Sequence, residues 1–281
     1  MLLAATDYVR PDSLQEAVEL LASNANARPL AGGQSLLNVL KHRAASVDLL
    51  VDISRLEELR FISGGEIGAG VTYAELEQSD ELKASHPVIC RVASHTIDRQ
   101  VRNCGTLGGN VCFADPASNF PPLMVALDAT MNVVGPGGER QVAAADFFVG
   151  AHRTALERGE LLRSVTVPAL DGAGVGYHSL LIAADSWALA RAAAFVRSNG
   201  TVDDVRVVLG CVGGTPVRAS TMEDRLRGQK PTAETIAEAA TAAGEGLEPP
   251  SDAHASGDYR RDMACVMARR AVLEATGGAN G

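Results

Sequence analysis

Two glycine-rich stretches constrain this chain more than anything else in it. The first is Ala31-Gly32-Gly33-Gln34-Ser35-Leu36. The second is Arg102-Asn103-Cys104-Gly105-Thr106-Leu107-Gly108-Gly109-Asn110. Each lies between an apolar run and an expected helix. Glycine reaches φ > 0 and lets backbone N–H groups approach a ligand closely. Successive N–H groups in such a turn form an anion-binding concavity, to which a following helix N-terminus adds its dipole. A single Gly-Gly turn commonly does no more than reverse the chain. Two of them, each followed by Ser, Thr or Asn and a hydrophobic run, suit a diphosphate held from two sides. No G-x-G-x-x-G follows an expected strand, and no G-x-x-x-x-G-K-[ST] occurs. The Rossmann fingerprint and the P-loop are therefore poorly supported.

Composition narrows the field further. The 281 residues allow two or three domains with a sizeable core. A net charge of −9 speaks against nucleic acid, DNA included, and leaves at most peripheral association with a membrane. No apolar run reaches the roughly 18 residues of a membrane span. The start, Met1-Leu2-Leu3-Ala4-Ala5-Thr6-Asp7, lacks a basic n-region, so no secretory signal is expected. The cysteines, Cys90, Cys104, Cys112, Cys211 and Cys265, are odd in number and form no C-x-x-C. That pattern predicts reduced thiols in a cytoplasmic protein, with no zinc or iron–sulfur site built by this chain alone. The histidines are scattered without metal-ligand spacing. No G-x-S-x-G occurs and no pair of catalytic carboxylates stands out, so neither a catalytic residue nor a metal ligand is nominated. Ser35 and Thr106 read as phosphate-loop hydroxyls rather than nucleophiles.

Along the chain, Ser13-Leu14-Gln15-Glu16 is a capping box, and Leu14, Ala17, Val18 and Leu21 recur at helical spacing. A helix over 14–23 is expected. Residues 28–31 read as a short strand delivering the first glycine loop, 36–41 as the helix leaving it, and 47–53 as a second strand. Thr72-Tyr73-Ala74-Glu75 is another capping box, and Pro87 suits a first helical turn. A helix over 123–127, a hairpin of 131–134 with 140–143, and a strand over 161–167 follow. Asp171-Gly172-Ala173-Gly174 reads as the main linker. Beyond it, strands over 175–181, 188–197 and 202–212, the second and third joined by Asn199-Gly200, precede helices near 221–226, 233–243 and 258–275. Three antiparallel strands with helices on one face make an α+β module. Arg260, Arg261, Arg269 and Arg270 on the last helix read as a solvated face.

At this density of motifs the chain resembles the FAD-binding medium subunit of molybdenum hydroxylases, the carbon monoxide dehydrogenase and xanthine dehydrogenase group. The resemblance spans nearly the whole sequence. It rests on Tyr8-x-Arg10-Pro11, Arg28-Pro29-Leu30-Ala31-Gly32-Gly33-Gln34-Ser35-Leu36, Leu50-Val51-Asp52-Ile53 and Ile67-Gly68-Ala69. Its most specific block is Gln100-Val101-Arg102-Asn103-x-Gly105-Thr106-Leu107-Gly108-Gly109-Asn110 with Ala114-Asp115-Pro116-Ala117 behind it. Later matches include Asp146-Phe147-Phe148, Gly159-Glu160-Leu161-Leu162, Thr215-Pro216-Val217-Arg218 and Tyr259-Arg260-Arg261.

The resemblance implies an α+β architecture. A two-subdomain FAD-binding fold of the vanillyl-alcohol oxidase type (residues 1–55 and 56–170) would precede a small C-terminal domain of antiparallel sheet plus helices (175–281). It implies that FAD lies between these parts. Ala31, Gly32, Gly33, Gln34, Ser35 and Leu36, and Thr106, Leu107, Gly108, Gly109 and Asn110, would clasp its diphosphate through backbone N–H groups. Thr96 would lie beside the adenosine half, the segment after Asp115 would touch the cofactor, and Leu161 would approach the flavin ring. The chain departs from the family in two places. Asn119 stands where an Asp is usual. Tyr177-His178-Ser179-Leu180-Leu181-Ile182 replaces a basic segment whose lysine commonly contacts the cofactor, and Ser179 cannot supply that charge. Trp187, the only tryptophan, falls where an aromatic often lies against the isoalloxazine ring. It also reads as a buried strand tryptophan.

The implied role is electron transfer beside a [2Fe–2S] small subunit and a molybdopterin large subunit, in a dimer of heterotrimers. A stand-alone flavoenzyme using a base such as His178 or Asp185 is the alternative, and a scaffold without FAD a third.

Overall fold

The computed structural model describes residues 3–96, 98–183 and 186–277. The chain divides into two compact units. One comprises Met1–Phe113, Thr130–Phe147 and Arg153–Val167, the other Ala114–Ala129, Phe148–His152 and Pro168–Gly281.

The first unit begins with a three-stranded parallel sheet, in the order Asp7–Val9, Leu49–Asp52, Ala27–Leu30. Parallel neighbours need crossovers, and the helices Leu14–Ser23 and Leu36–Lys41 supply them. Leu14, Ala17, Val18 and Leu21 are buried against Val51 and Ile53, as their helical spacing requires. Ser13 caps this helix by accepting from the Glu16 N–H at 3.2 Å. Glu16 Oε2 returns to the N–H of Asp12, one residue before the cap, so the expected box closes out of register. The strand at 7–9 is too short to leave a period in the sequence.

Five antiparallel strands follow in the order Ile62–Ser63, Glu66–Gly68, Leu161–Thr166, Thr130–Gly135, Gly138–Ala143. The expected hairpin turns over Pro136-Gly137, with Gly135 facing Gly138. The second capping box is complete: Thr72 accepts from Glu75 N–H and Glu75 accepts from Thr72 N–H. Pro87 opens the helix Pro87–Ser94. The second glycine stretch is not one loop. It is two short helices, Arg99–Cys104 and Leu107–Phe113, meeting at Gly105-Thr106.

In the second unit, strands Gly174–Leu181, Ala188–Ser198, Val202–Gly210 and Val217–Arg218 form an antiparallel sheet in sequence order. The helix Gly257–Ala275 lies against one face. A Cβ on Gly174 would stand 1.7 Å from Ala275 O, and one on Gly176 1.9 Å from Ala271 O. Bare glycines therefore let helix and strand touch. Ala190, Ala192, Ala194 and Val196 share that core with Met267, Ala268 and Ala271. The fully buried helix Phe120–Ala126 lies over the residues of opposite parity, where Arg206 Nε donates to Ala126 O at 2.8 Å and Gly210 meets Pro122. Both faces are thus covered, rather than the one expected. That explains why the strand Ala188–Ser198 is buried from 188 to 196. Arg260 departs from the solvated reading. It is buried and donates to Leu189 O at 3.0 Å and to Asp252.

Candidate functional site

The first glycine loop leaves the strand Ala27–Leu30 at its carboxyl end. Its hydrogen bonding is one-sided. Gly33 O accepts from Leu37 N–H at 3.2 Å, Ser35 O from Val39 N–H at 3.1 Å, Gly32 O from Gln34 Nε2 at 3.0 Å and Gln34 O from Asn38 Nδ2 at 2.9 Å. Among the described residues, nothing accepts from the N–H groups of Ala31, Gly32, Gly33, Gln34 or Ser35. Ser35 precedes the helix Leu36–Lys41 without a side-chain cap bond. Gly33 sits at φ +69°, where a side chain is disfavoured. Five successive donors are thus open to an acceptor from outside the chain.

Gly32 sets where that run of donors lies. A Cβ there would stand 1.9 Å from Cys104 O and 2.9 Å from Gly105 Cα. The loop backbone therefore rests directly on the joint between the helices Arg99–Cys104 and Leu107–Phe113. The two glycine stretches are thus in direct backbone contact.

Their roles differ. In the second stretch the N–H groups of 107–110 are already used. Leu107 donates to Val71 O at 3.0 Å, Gly108 to Ala69 O at 2.9 Å, Gly109 to Thr106 Oγ1 at 2.9 Å and Asn110 to Thr106 O at 3.0 Å. A Cβ on Gly108 would lie 2.5 Å from Ala69 Cβ. Gly108 serves close packing, and the run of successive open N–H groups lies in the first stretch. Asn110 Nδ2 donates to Tyr73 OH at 2.9 Å, and the Tyr73 ring lies 2.8 Å from where a Gly105 Cβ would be. Burial pushes the Tyr73 phenol up to about 12, the Asn110 hydrogen bond opposing it. Tyr73 is a supporting residue that sequence reasoning missed. Its only signal was its place inside a capping box.

Thr96 is buried, with its hydroxyl turned back to Val92 O at 3.4 Å and its carbonyl accepting from Arg102 Nη1 at 3.4 Å. Arg102 also pairs with Glu77 at 3.2 Å. The Leu161 side chain is packed in the core with Leu14, Val18 and Val51, so only its backbone could meet a ligand. Burial of the sulfur pushes the half-buried Cys112 thiol up to about 12, so it holds little thiolate at neutral pH.

The remaining nominated residues belong to the second unit. Asp115 closes a turn, with Oδ1 accepting from Ala117 N–H and its carbonyl from Ser118 N–H, both at 2.8 Å. Asn119 O accepts from Tyr177 OH at 3.0 Å. Trp187 is 61% exposed and stands one residue before its strand, so the buried-tryptophan reading is overturned. Ser179 is paired across the ladder with Arg191, whose Nε donates to its hydroxyl at 2.9 Å. A positive charge thus stands on the neighbouring strand, spent on Ser179 and on the carbonyls of Ala117 and Ser118. A lone arginine inside Ala188-Leu189-Ala190-Arg191-Ala192-Ala193-Ala194 was the signal for it. His178 Nε2 lies 3.3 Å from Glu274 Oε2. Asp185 lies outside the described residues. Among the described residues, no three His, Cys, Asp or Glu side chains gather to hold a metal, and no helix is long and apolar enough to cross a membrane.

A neutral N–H cradle without an acid, base or nucleophile fits a diphosphate-bearing cofactor, and comparison with known proteins agrees. Residues 4–170 match the family described as the FAD binding domain in molybdopterin dehydrogenase, and residues 176–275 the CO dehydrogenase flavoprotein C-terminal domain. The chain is 38% identical over 272 residues to the glyceraldehyde dehydrogenase medium chain of Sulfolobus acidocaldarius, covering 95% of this chain and 97% of that one. The carbon monoxide dehydrogenase structure from Hydrogenophaga pseudoflava superposes with a TM-score of 0.95 at 36% identity, over 100% of both chains. Quinoline 2-oxidoreductase from Pseudomonas putida 86 gives 0.93 at 36% identity, over 99% of both. The chain is an FAD-binding flavoprotein of the oxidoreductase class. It belongs to the family of medium, FAD-carrying subunits of carbon monoxide dehydrogenase- and xanthine dehydrogenase-type molybdenum hydroxylases.

Proposed function

We propose that this subunit relays electrons. In this reading it receives them from a [2Fe–2S] small subunit, itself reduced by a molybdopterin large subunit, and delivers them to an external acceptor. The assembly is a cytoplasmic dimer of heterotrimers. Bound FAD supplies the chemistry, since a flavin takes electrons singly and releases two. The protein binds and orients it. The N–H groups of 31–35 hold the diphosphate. Leu36 opens the helix behind it, and Thr106, Gly109 and Asn110 line it. Leu107 and Gly108 hold that lining against 69–71. Thr96 borders the adenosine, Leu161 acts through its backbone, and Asp115, Asn119 and Trp187 complete the contacts. The three parts are 1–55, 56–170 and 175–281.

The observation that carries this reading is the run of five donors without acceptors, braced by Gly32 on Cys104. The stand-alone alternative would draw its base from His178, whose Nε2 lies 3.3 Å from Glu274 Oε2. Expression of the chain alone, desalting and an absorption spectrum test the cofactor. Flavin bands are expected, and a chain that never takes up FAD sinks the proposal. Purification from the native source tests the partners. Iron and molybdenum are expected to travel with the chain, and their absence from an active enzyme would favour the stand-alone reading.

A further inference from the structure

The segment 114–119 is held in the second unit through its carbonyl oxygens. Ala114 O accepts from His152 N–H at 2.9 Å and Pro116 O from Cys211 N–H at 3.1 Å. Ala117 O and Ser118 O accept from Arg191 Nη1 at 2.7 and 2.6 Å, and Asn119 O from Tyr177 OH at 3.0 Å. Five of the six carbonyls are thus fixed by donors from four separate parts of the unit. Three residues of this arrangement hold left-handed backbone without being glycine: Ala114 at φ 47°, His152 at φ 56° and Cys211 at φ 67°. Such strain persists only where the surroundings over-determine it, and it gathers at functional sites.

Arg191 is the costly member of this clamp. It is 3% exposed, and among the described residues no carboxylate pairs with it. Its neighbours Ala190, Ala192, Ala193 and Ala194 show what the strand otherwise carries. A buried guanidinium is expensive to desolvate, so its place in this strand needs an account. Part of that account is stability, since removing Arg191 leaves the Ala117 and Ser118 carbonyls without this donor. The other part is orientation: Arg191 turns two adjacent carbonyls, of Ala117 and Ser118, towards the sheet and fixes which edge of the segment remains for other contacts.

We propose that Arg191 is a positioning residue for FAD binding, acting by orienting the 115–119 segment without itself touching the cofactor. This rests on the reading above that the segment contacts FAD. Binding to a pre-oriented segment avoids the ordering cost of a loose one. An ammonium at the same place can still serve both carbonyls, whereas a thioether cannot.

The test uses the full chain in apo form, titrated with FAD, with the midpoint potential of the bound flavin as a second readout. Arg191→Met is expected to raise the FAD Kd by about tenfold or more and to shift the potential, the loss of hydrogen bonds to a charged group. Arg191→Lys is expected to recover the wild-type Kd to within about threefold, because the charge and the carbonyl bonds return. A folded Arg191→Met protein with wild-type affinity and potential overturns the proposal while leaving the cofactor reading intact. Should Arg191→Met fail to fold, Tyr177→Phe removes one clamp bond at Asn119 and is expected to weaken FAD by about threefold. An unchanged Kd there overturns the proposal. Wild-type protein that takes up no FAD sinks the cofactor reading, and this inference with it.

Discussion

The two glycine stretches look alike as sequence and do opposite things with their amides. In 31–35 five N–H groups have no acceptor among the described residues, and the glycines leave them reachable. In 107–110 every N–H is used within the first unit, and the glycines exist so that Leu107–Phe113 can lie on 69–71. One stretch offers donors to a ligand. The other is the platform that positions it. A missing Cβ serves either purpose, so the motif alone does not say which.

Substitutions separate the two roles, and the largest effect is expected at their contact. Gly32→Ala sets a methyl 1.9 Å from the Cys104 carbonyl, a backbone atom that cannot swing aside. The cradle must lift from its platform. A loss of about 3 kcal/mol, roughly 100-fold in FAD affinity, is expected from fluorescence titration. An affinity near wild type would break the comparison.

Tyr73 sharpens the platform side. Its phenol is raised from an ordinary 10 to about 12 by burial. The folded state therefore favours the neutral form. This contribution to stability is complete below pH 10 and is lost as the pH rises from 10 through 12, by about 3 kcal/mol. Denaturant melts of wild type and Tyr73→Phe across that window are expected to converge as pH rises. Parallel curves would show that the phenol does not sense the fold.

Gly108→Ala sets a methyl 2.5 Å from Ala69 Cβ and 2.6 Å from Ala69 O. A destabilisation of about 2 kcal/mol is expected in urea, while the folded protein keeps FAD affinity within about threefold. A fall in affinity matching that of Gly32→Ala would dissolve the distinction between the stretches. The smallest effect belongs to Gly33→Ala. Its methyl meets the flexible side chains of Leu37 and Leu30, but φ +69° costs an L-residue about 1 kcal/mol, so FAD is expected to weaken by about fivefold without loss of folding.

Much of this fold is legible along the chain itself. The amphipathic period of Leu14, Ala17, Val18 and Leu21, the Thr72–Glu75 box, Pro87 and the Asn199-Gly200 turn mark elements that form where they are expected, because each encodes a local preference. The failures share a cause. The strand at 7–9 is defined only by its partner Leu49–Asp52. Arg260 reads as surface in a helix pattern, yet Leu189 O and Asp252 draw it inward. Trp187 reads equally as core or contact until its exposure is known. Tyr73 and Arg191 act through atoms 37 and more than 70 positions away, at Asn110 and at 117–118.

The family, the cofactor class and the order of helices and strands follow from the amino-acid sequence, because motif spacing and hydrophobic period are properties of neighbours along a chain. Which glycine stretch keeps its donors open, what Arg191 is bonded to, and how 114–119 is clamped depend on tertiary structure. Those features are settled by hydrogen-bond partners, and the partners lie far apart in sequence.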